Sequence, residues 1–346
     1  MELNVMSKVL IIYTGGTIGM KKDYNSGSLV PFDFAHLIEH IPEITHLDCE
    51  LKVITLSLIK DSSDVGLSEW LEMSQIIEAN YAKFDGFVVL HGSDTMSYSS
   101  SAVSFLLQQL DKPVIFTGSQ LPIGDLRTDA KENLISAIQL AILQKDGVPV
   151  IQEVGLYFEY KLYRANRTTK INTEHFKAFE SPNYPILVDS GLHMKINHQS
   201  LWRKKEENSP FDVKQNMCDE VVLCKLFPGF NPNYFESYLG QYKPRVLILE
   251  TFGSGNAPRH NYFLDQVAQM VKSGIHVVNV TQCIGGGVMM GYYENSLYLK
   301  DLGVISGKDI TTESAIAKAM LLSTESLSRE DFERAFHQSL CGEISE

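Results

Sequence analysis

Short, almost unbroken apolar runs punctuate the chain: KVLIIY at 8–13, LKVITLSLI at 51–59, GFVVL at 86–90 and KPVIF at 112–116. Strands covered on both faces read this way, because a side chain on either side of the sheet meets protein rather than water. Between the later runs, apolar positions recur at helical spacing over Tyr98–Leu110 and Thr128–Leu143. Strand and helix in alternation predict an α/β fold around a parallel or mixed sheet. The segment EVGLYFEYKLYRANRTTK, 153–170, predicts two short strands about a turn.

From Ser190 to Gln215 the periodicity gives way to mixed charge, Asn, Ser and Pro. Alternation then resumes in RVLILETFGSGNAP, 245–258, and IHVVNVTQCIGGG, 275–287. The expected organisation is a larger N-terminal doubly wound sheet domain over 1–195, a linker over 196–216 and a smaller C-terminal α/β domain over 217–346. A length of 346 residues suits two such cores. Thr311 and Ser328 read as N-caps of the last two helices, and Gly342 as the stop of the final one.

Composition narrows the partners. With 44% apolar and 21% charged residues the chain has an ordinary globular mix. A net charge of −12 repels phosphodiester backbones and anionic lipid, so the expectation is a small-molecule ligand, with no nucleic acid and no membrane. The start, MELNVMSKVLIIYTGG, lacks a basic region and a small-residue cleavage site, and no run reaches the ~20 apolar residues of a membrane span. Cys49, Cys218, Cys224, Cys283 and Cys341 are scattered and contain no C-x-x-C pair. Reduced thiols in the cytoplasm are expected.

Ligands of open α/β sheets bind beyond the carboxyl ends of the strands. Four strand ends carry small polar residues: YTGGT, KDSSD, HGSDTMS and TGSQ. The first contains Gly15, Gly16 and Gly19 but neither a Walker lysine nor a dinucleotide acid, so phosphate binding loses ground to a turn that brings backbone to a ligand. Thr14 could then serve as a nucleophile, provided a neighbour takes its proton. Tyr24, in the Gly- and Ser-containing segment MKKDYNSGSL, is the nearest candidate; in isolation a half-exposed loop tyrosine is the better reading. Ser93, Asp94 and Lys170 could form a proton-transfer set, although Ser-Asp pairs also begin helices. Asp61, Ser62 and Ser63 could hold a zwitterion, or simply make a cap or turn. HLIEH, 36–40, matches a zinc-peptidase pattern, but Pro42 follows at once and no third ligand is evident. His91 reads as a packed structural histidine. No G-x-S-x-G occurs.

Taken together, YTGGTIGM, KDSSD, HGSDTM, TGSQLP, LYRANRTTK, FGSGNAP and NVTQC, in that order along nearly the whole chain, resemble the L-asparaginase family and its bacterial cytoplasmic type I branch. The resemblance implies a two-domain α/β amidohydrolase without metal or cofactor, acting on L-asparagine and assembling as a dimer or a dimer of dimers. It implies Thr14 as nucleophile with Tyr24 as its partner, Asp61, Ser62 and Ser63 as substrate-holding residues, and Ser93, Asp94 and Lys170 as the second hydroxyl, carboxylate and lysine. Asn256 falls where the family's C-terminal domain approaches a neighbouring subunit's site.

Two positions depart from that pattern. Ser93 stands where the family more often has threonine, which keeps the hydroxyl but frees its rotamer. Glu250 stands where some cytoplasmic members have an arginine lining an effector pocket near Thr281 and Cys283, and the reversed charge argues against inherited control by asparagine. Two other readings accompany the hydrolase: an ammonia-donating amidotransferase subunit of the same fold, expected to carry a further domain or channel, and a non-catalytic amino-acid sensor.

Overall fold

The computed structural model describes residues 6–22, 29–31, 41–204, 209–240, 242–291 and 294–345. The chain divides into two units, Met1–Gln215 and Asn216–Glu346.

The first unit is built on an eight-stranded sheet. Its strands are β1 (Ser7–Gly15), β2 (Cys49–Lys60), β3 (Gly86–Leu90), β4 (Val114–Thr117), β5 (Val154–Phe158), β6 (Lys161–Arg164), β7 (Val188–Ser190) and β8 (Met194–Ile196), in the order β8-β7-β6-β5-β4-β3-β1-β2. The five strands from β5 to β2 run parallel, and β6, β7 and β8 are antiparallel additions. The central strands are buried on both faces: every residue of β3, β4 and β5 is buried, whereas the edge strand β2 is mostly exposed or half-buried. Val9, Ile11, Tyr13, Val88 and Leu90 share a core cluster with Leu134, Ala137 and Ile138 of helix α3 (Ala130–Ala141). Helices α1 (Leu67–Asn80) and α2 (Met96–Leu106) pack on each other, with Trp70 Nε1 donating to Ser99 Oγ at 2.9 Å.

The hairpin expected in 153–170 is β5–β6. Its two-residue turn, Glu159 and Tyr160, has φ of 47° and 64°, the left-handed pair that matches strand twist. The hairpin closes at Arg164, so Lys170 lies beyond it on a separate ladder, Thr169–Lys170 against Phe179–Glu180. The helix read over 98–110 ends at Leu106, because Leu107–Gln108 leave it to pair with Asp212–Val213. A buried ion pair closes the far side of the sheet, Arg164 Nε to Glu153 Oε2 at 2.6 Å, while Trp202 N donates to the other carboxylate oxygen at 2.6 Å.

The second unit carries a four-stranded parallel sheet in sequence order: β9 (Val221–Lys225), β10 (Val246–Thr251), β11 (His276–Thr281) and β12 (Ile305–Ser306). Residue alternation along β10 assigns two cores. Leu247 and Leu249 pack with Phe263, Val267 and Met270 of α4 (Asn261–Lys272), and with Leu299 of α5 (Glu294–Asp301). Val246 and Ile248 pack with Ala315 and Ala319 of α6 (Thr312–Leu322) and with Phe332 and Phe336 of α7 (Arg329–His337).

Thr311 and Ser328 do cap α6 and α7, accepting from Ser314 N at 3.3 Å and Asp331 N at 3.1 Å. Gly342 does not end α7, which stops at His337; its φ of 87° serves a later turn in which Gly342 N reaches Ser339 Oγ at 3.1 Å. That turn delivers Glu343 to Lys318 of α6, both fully buried, at 2.5 Å. Lys318 Nζ also donates to the carbonyls of Phe336 and Gln338, at 2.6 and 2.7 Å.

Removing one member of a buried pair leaves an uncompensated charge. Glu343→Ala is therefore expected to cost about 3 kcal/mol, read as a lower urea midpoint by far-ultraviolet circular dichroism. Lys318→Met combined with Glu343→Leu should recover most of it, because neither charge then needs a partner.

Candidate active site

In the strand order β2-β1-β3-β4-β5, β1 has neighbours reached in opposite directions, so the switch point falls between β1 and β3. The carboxyl ends of those two strands hold Thr14 and the segment from His91 to Asp94. Parallel pairing of β1 with β2 slips between Tyr13, opposite Thr55, and Gly15, opposite Lys60, so β2 bulges by three extra residues beside Thr14. A bulge of this kind re-aims a side chain at the end of a strand.

Three glycines let the loops touch. Gly15 and Gly16 have φ of 123° and 85°, where a side chain is strained, and a Cβ on Gly15 would lie 2.1 Å from the Lys60 carbonyl oxygen. A Cβ on Gly16 would lie 2.5 Å from the Gly92 nitrogen and Cα, and one on Gly92 would lie 2.6 Å from Ser62 Oγ. The β1, β2 and β3 ends are thus joined backbone to backbone. Lys60 is fixed in turn by Glu69, Nζ to Oε1 at 2.6 Å.

Thr14 is 1% exposed, and its Oγ1 donates to the Leu90 carbonyl at 3.0 Å. Ser93 is half-buried at the mouth of β3. Lys170 Nζ reaches Ser93 Oγ at 2.8 Å and Asp94 Oδ1 at 2.5 Å, so the lysine bridges hydroxyl and carboxylate across more than seventy positions of chain. Ser93 Oγ also donates to Gln120 Oε1 at 3.2 Å, and Gln120 Nε2 donates to the His175 carbonyl at 3.0 Å. Neither Ser93 nor Asp94 is the N-cap of α2. Thr95 takes that position, but its Oγ1 donates to the Ser62 carbonyl at 2.5 Å and leaves the helix start without a side-chain cap.

Asp61 is exposed and caps the turn Ser62–Asp64: Oδ1 accepts from Ser63 N at 2.9 Å and Ser63 Oγ at 2.7 Å. The two Ser63 bonds hold the Asp61 carboxyl below its ordinary pKa, so it stays anionic. Ser62 is buried, and Ser63 is exposed. Tyr24, with the 36–40 segment containing His36 and His40, lies outside the described residues.

His91 is fully buried under the corner. Its Nδ1 lies 2.7 Å from the Gly92 carbonyl oxygen, which fixes Nδ1 as the protonated nitrogen, while Nε2 has no hydrogen-bond partner among the described residues. Burial pushes the imidazole down to about 4, so it is neutral near pH 7.

Several supporting residues have no obvious local signal in the sequence. Asp129 accepts from Gln120 N at 3.0 Å and Leu121 N at 3.1 Å, and Asn133 Nδ2 donates to the Gly118 carbonyl at 3.0 Å. These bonds tie the start of α3 to the loop after β4. Gln120 itself sits in the TGSQ strand end, and the polarity of that strand end is the signal that could have found it.

In the second unit, Glu250 at the end of β10 is buried and already engaged. Its Oε1 accepts from Thr312 Oγ1 at 2.7 Å, and its Oε2 pairs with Lys225 Nζ at 3.2 Å. Thr281 Oγ1 donates to the Gly253 carbonyl at 2.5 Å and accepts from Cys283 N at 3.0 Å; the Cys283 thiol is free and exposed. Asn256 closes the turn after β10 by a bridge to Phe252, and its Oδ1 is buried without a hydrogen-bond partner among the described residues. Asn279, wholly buried, braces the same turn through Thr251 Oγ1 at 2.7 Å and the Gly255 carbonyl at 3.1 Å.

A hydroxyl touched by a lysine that a carboxylate also holds, at a sheet switch point, is the equipment of a hydrolytic α/β enzyme. Comparison with known proteins narrows the class. Residues 8–202 match the family model described as Asparaginase, N-terminal, and residues 220–336 match that of the Glutaminase/Asparaginase C-terminal domain. The chain belongs to the asparaginase family, a family of amide hydrolases.

It is 36% identical to L-asparaginase 1 of Escherichia coli K12, over 97% of this chain and 98% of that protein. The crystal structure of L-asparaginase I from Vibrio cholerae superposes with a TM-score of 0.87 at 37% identity, covering 98% of this chain and 99% of that one. A glutamyl-tRNA(Gln) amidotransferase component of Thermofilum pendens is more distant, 30% identical over 98% of this chain and 75% of that protein.

The buried imidazole sets a pH dependence. His91 binds its proton near 6.5 when unfolded and near about 4 when folded, so between those values the unfolded state holds the extra proton. Its contribution is complete above 6.5 and is lost as the pH falls towards 4. In denaturant titrations, His91→Gln should remove about 3 kcal/mol of the stability change across that window, and an unaltered slope would show that His91 is not held neutral.

Proposed function

We propose that the chain hydrolyses L-asparagine to L-aspartate and ammonia by a ping-pong route through an acyl-enzyme ester on Thr14. The observation that carries this reading is the contact of Gly16 with Gly92, which joins the Thr14 corner to the Ser93, Lys170 and Asp94 set. The likeness to L-asparaginase 1 of Escherichia coli over almost the full length of both chains supports the substrate.

In this scheme Asp61 and Asp94 take the substrate's α-ammonium, and the Ser62–Ser63 hydroxyls and backbone N–H groups with the uncapped start of α2 take its α-carboxylate, which a helix N-terminus favours. Orientation of the side-chain amide supplies much of the rate. Thr14 turns its hydroxyl away from the Leu90 carbonyl to attack the amide carbon, its proton passing toward Tyr24, the partner that the family resemblance implies. Backbone N–H groups of the glycine corner stabilise the oxyanion. Ammonia leaves, and Ser93, Asp94 and Lys170 help water to release aspartate.

No metal or cofactor takes part in this reading. Lys225 and Thr312 already occupy Glu250, and an anion there opposes a second asparagine's carboxylate; we therefore read the Glu250, Thr281 and Cys283 region as lacking effector control, with Asn256 a supporting residue near a subunit contact. Five cysteines without a disulfide among the described residues and a net charge of −12 fit a cytoplasmic homo-oligomer that acts on a small molecule.

The purified protein should release ammonia from asparagine with no added partner; failure to do so would return the reading to an amino-acid sensor or a partner-dependent amidotransferase. Thr14→Ala should lower kcat on the order of 10⁴-fold, with Ser93→Ala comparably severe. Denaturing mass spectrometry of Ser93→Ala mixed with substrate should find the acyl group on the Thr14 peptide. Near-full activity in Thr14→Ala, or an ester on Ser93 in the Thr14 variant, would exchange the roles.

A further inference from the structure

A cavity of about 610 Å³ lies within the second unit, among the segment from Val288 to Gly291, the last turn of α5 and the end of β12. Its volume falls in the range of small-molecule sites. It is separate from the residues placed in the hydrolytic reading, and its wall has a definite division. One part is apolar, from Val288, Met289, Met290 and Val304; the other is lined by the cationic residues Lys300 and Lys308.

Lys300 and Lys308 give this part of the wall its positive charge. Neither Nζ has a hydrogen-bond or salt-bridge partner among the described residues, in a protein with twelve more acidic than basic side chains. Two neighbouring carboxylates are engaged elsewhere. Glu333, which also lines the cavity, pairs with Arg329 Nη1 at 3.3 Å, and Asp309 accepts from Ser345 N at 2.9 Å and Ser345 Oγ at 2.5 Å. Lys308 also raises the positive potential felt by the buried Lys318.

Lys308 is moreover held in a conformation that lysine rarely adopts. Its φ is 53°, in the left-handed region, where a non-glycine residue is strained. Its backbone is clamped from both sides: N donates to Ser306 Oγ at 3.2 Å, and O accepts from Val288 N at 2.7 Å. His337, from α7, braces the same strand end, with Nε2 donating to the Ser306 carbonyl at 2.8 Å. Three elements therefore fix the Lys308 backbone and the apolar wall in one rigid piece.

We propose that this cavity binds a small organic dianion, a phosphate ester or a dicarboxylate, with its charged group between Lys300 and Lys308 and its apolar part on Met289 and Met290. Two unpaired ammonium groups call for a ligand of charge near −2, and the polarisable thioether side chains suit a flat or irregular apolar body.

The probes are phenyl phosphate and phenylsuccinate, titrated into protein carrying carbon-13 methionine methyl groups. The Met289 and Met290 resonances, assigned by Met→Leu changes, should shift saturably. A response to both probes supports the dianion class, and a response to one alone identifies its source. Lys308→Gly removes the ammonium while suiting the left-handed backbone, so the fold is kept. Combined with Lys300→Gln it should weaken binding on the order of tenfold or more. Methyl resonances unmoved by either probe, or shifts undiminished in the double variant, would overturn the proposal.

Discussion

Direct backbone contact at the carboxyl end of the large sheet is the constraint on which the candidate site depends. Gly15 against the Lys60 carbonyl, Gly16 against Gly92 and Gly118 against the His91 carbonyl each leave no room for a Cβ. With the side-chain layer removed, the ends of β1, β2, β3 and β4 come together closely enough for residues on different loops to share hydrogen bonds. Thr95 can then reach the Ser62 carbonyl, and Ser93 can reach Gln120. The neutral, buried His91 lies beneath this corner and adds no charge to it.

The second unit solves a different problem with the same materials. Its central strands serve two cores at once, odd residues of β10 facing one helix layer and even residues the other. Polar groups at the strand ends are consumed internally: Thr251 and Asn279 bond each other, and Glu250 bonds Thr312 and Lys225. The Gly-rich turns after β10 and β11 are therefore braced from below. The unpaired Asn256 oxygen stands out against that background of satisfied groups.

Much of the fold is legible in the sequence because two-sided burial writes itself as continuous apolar runs; KVLIIY, GFVVL and KPVIF all lie in or around central strands. Boundaries governed by distant partners are not legible. Nothing local to Leu107 and Gln108 says that Asp212 and Val213 will draw them out of a helix, and Gly342 reads as a helix stop only until Ser339 and Glu343 are seen to need the turn. At the site, the rule that ligands gather at strand ends finds Thr14, Ser93 and Asp94 from pattern alone. Lys170 is invisible to that rule, since its ladder with Phe179 starts after the hairpin has closed. Asp129 and Asn133 act on backbone groups of another loop, which no spacing encodes.

The contact between Lys318 and Glu343 also bears on the order in which this molecule can be made. Twenty-five positions separate the two residues, so α6 can form before the turn that carries its counter-charge has docked. During that interval the ammonium keeps its water, and α6 cannot seat against β10 and β11 without an uncompensated ion in the core. Final closure of this unit therefore waits for the turn that carries Glu343, and the large sheet of the first unit, encoded earlier, has time to form before it.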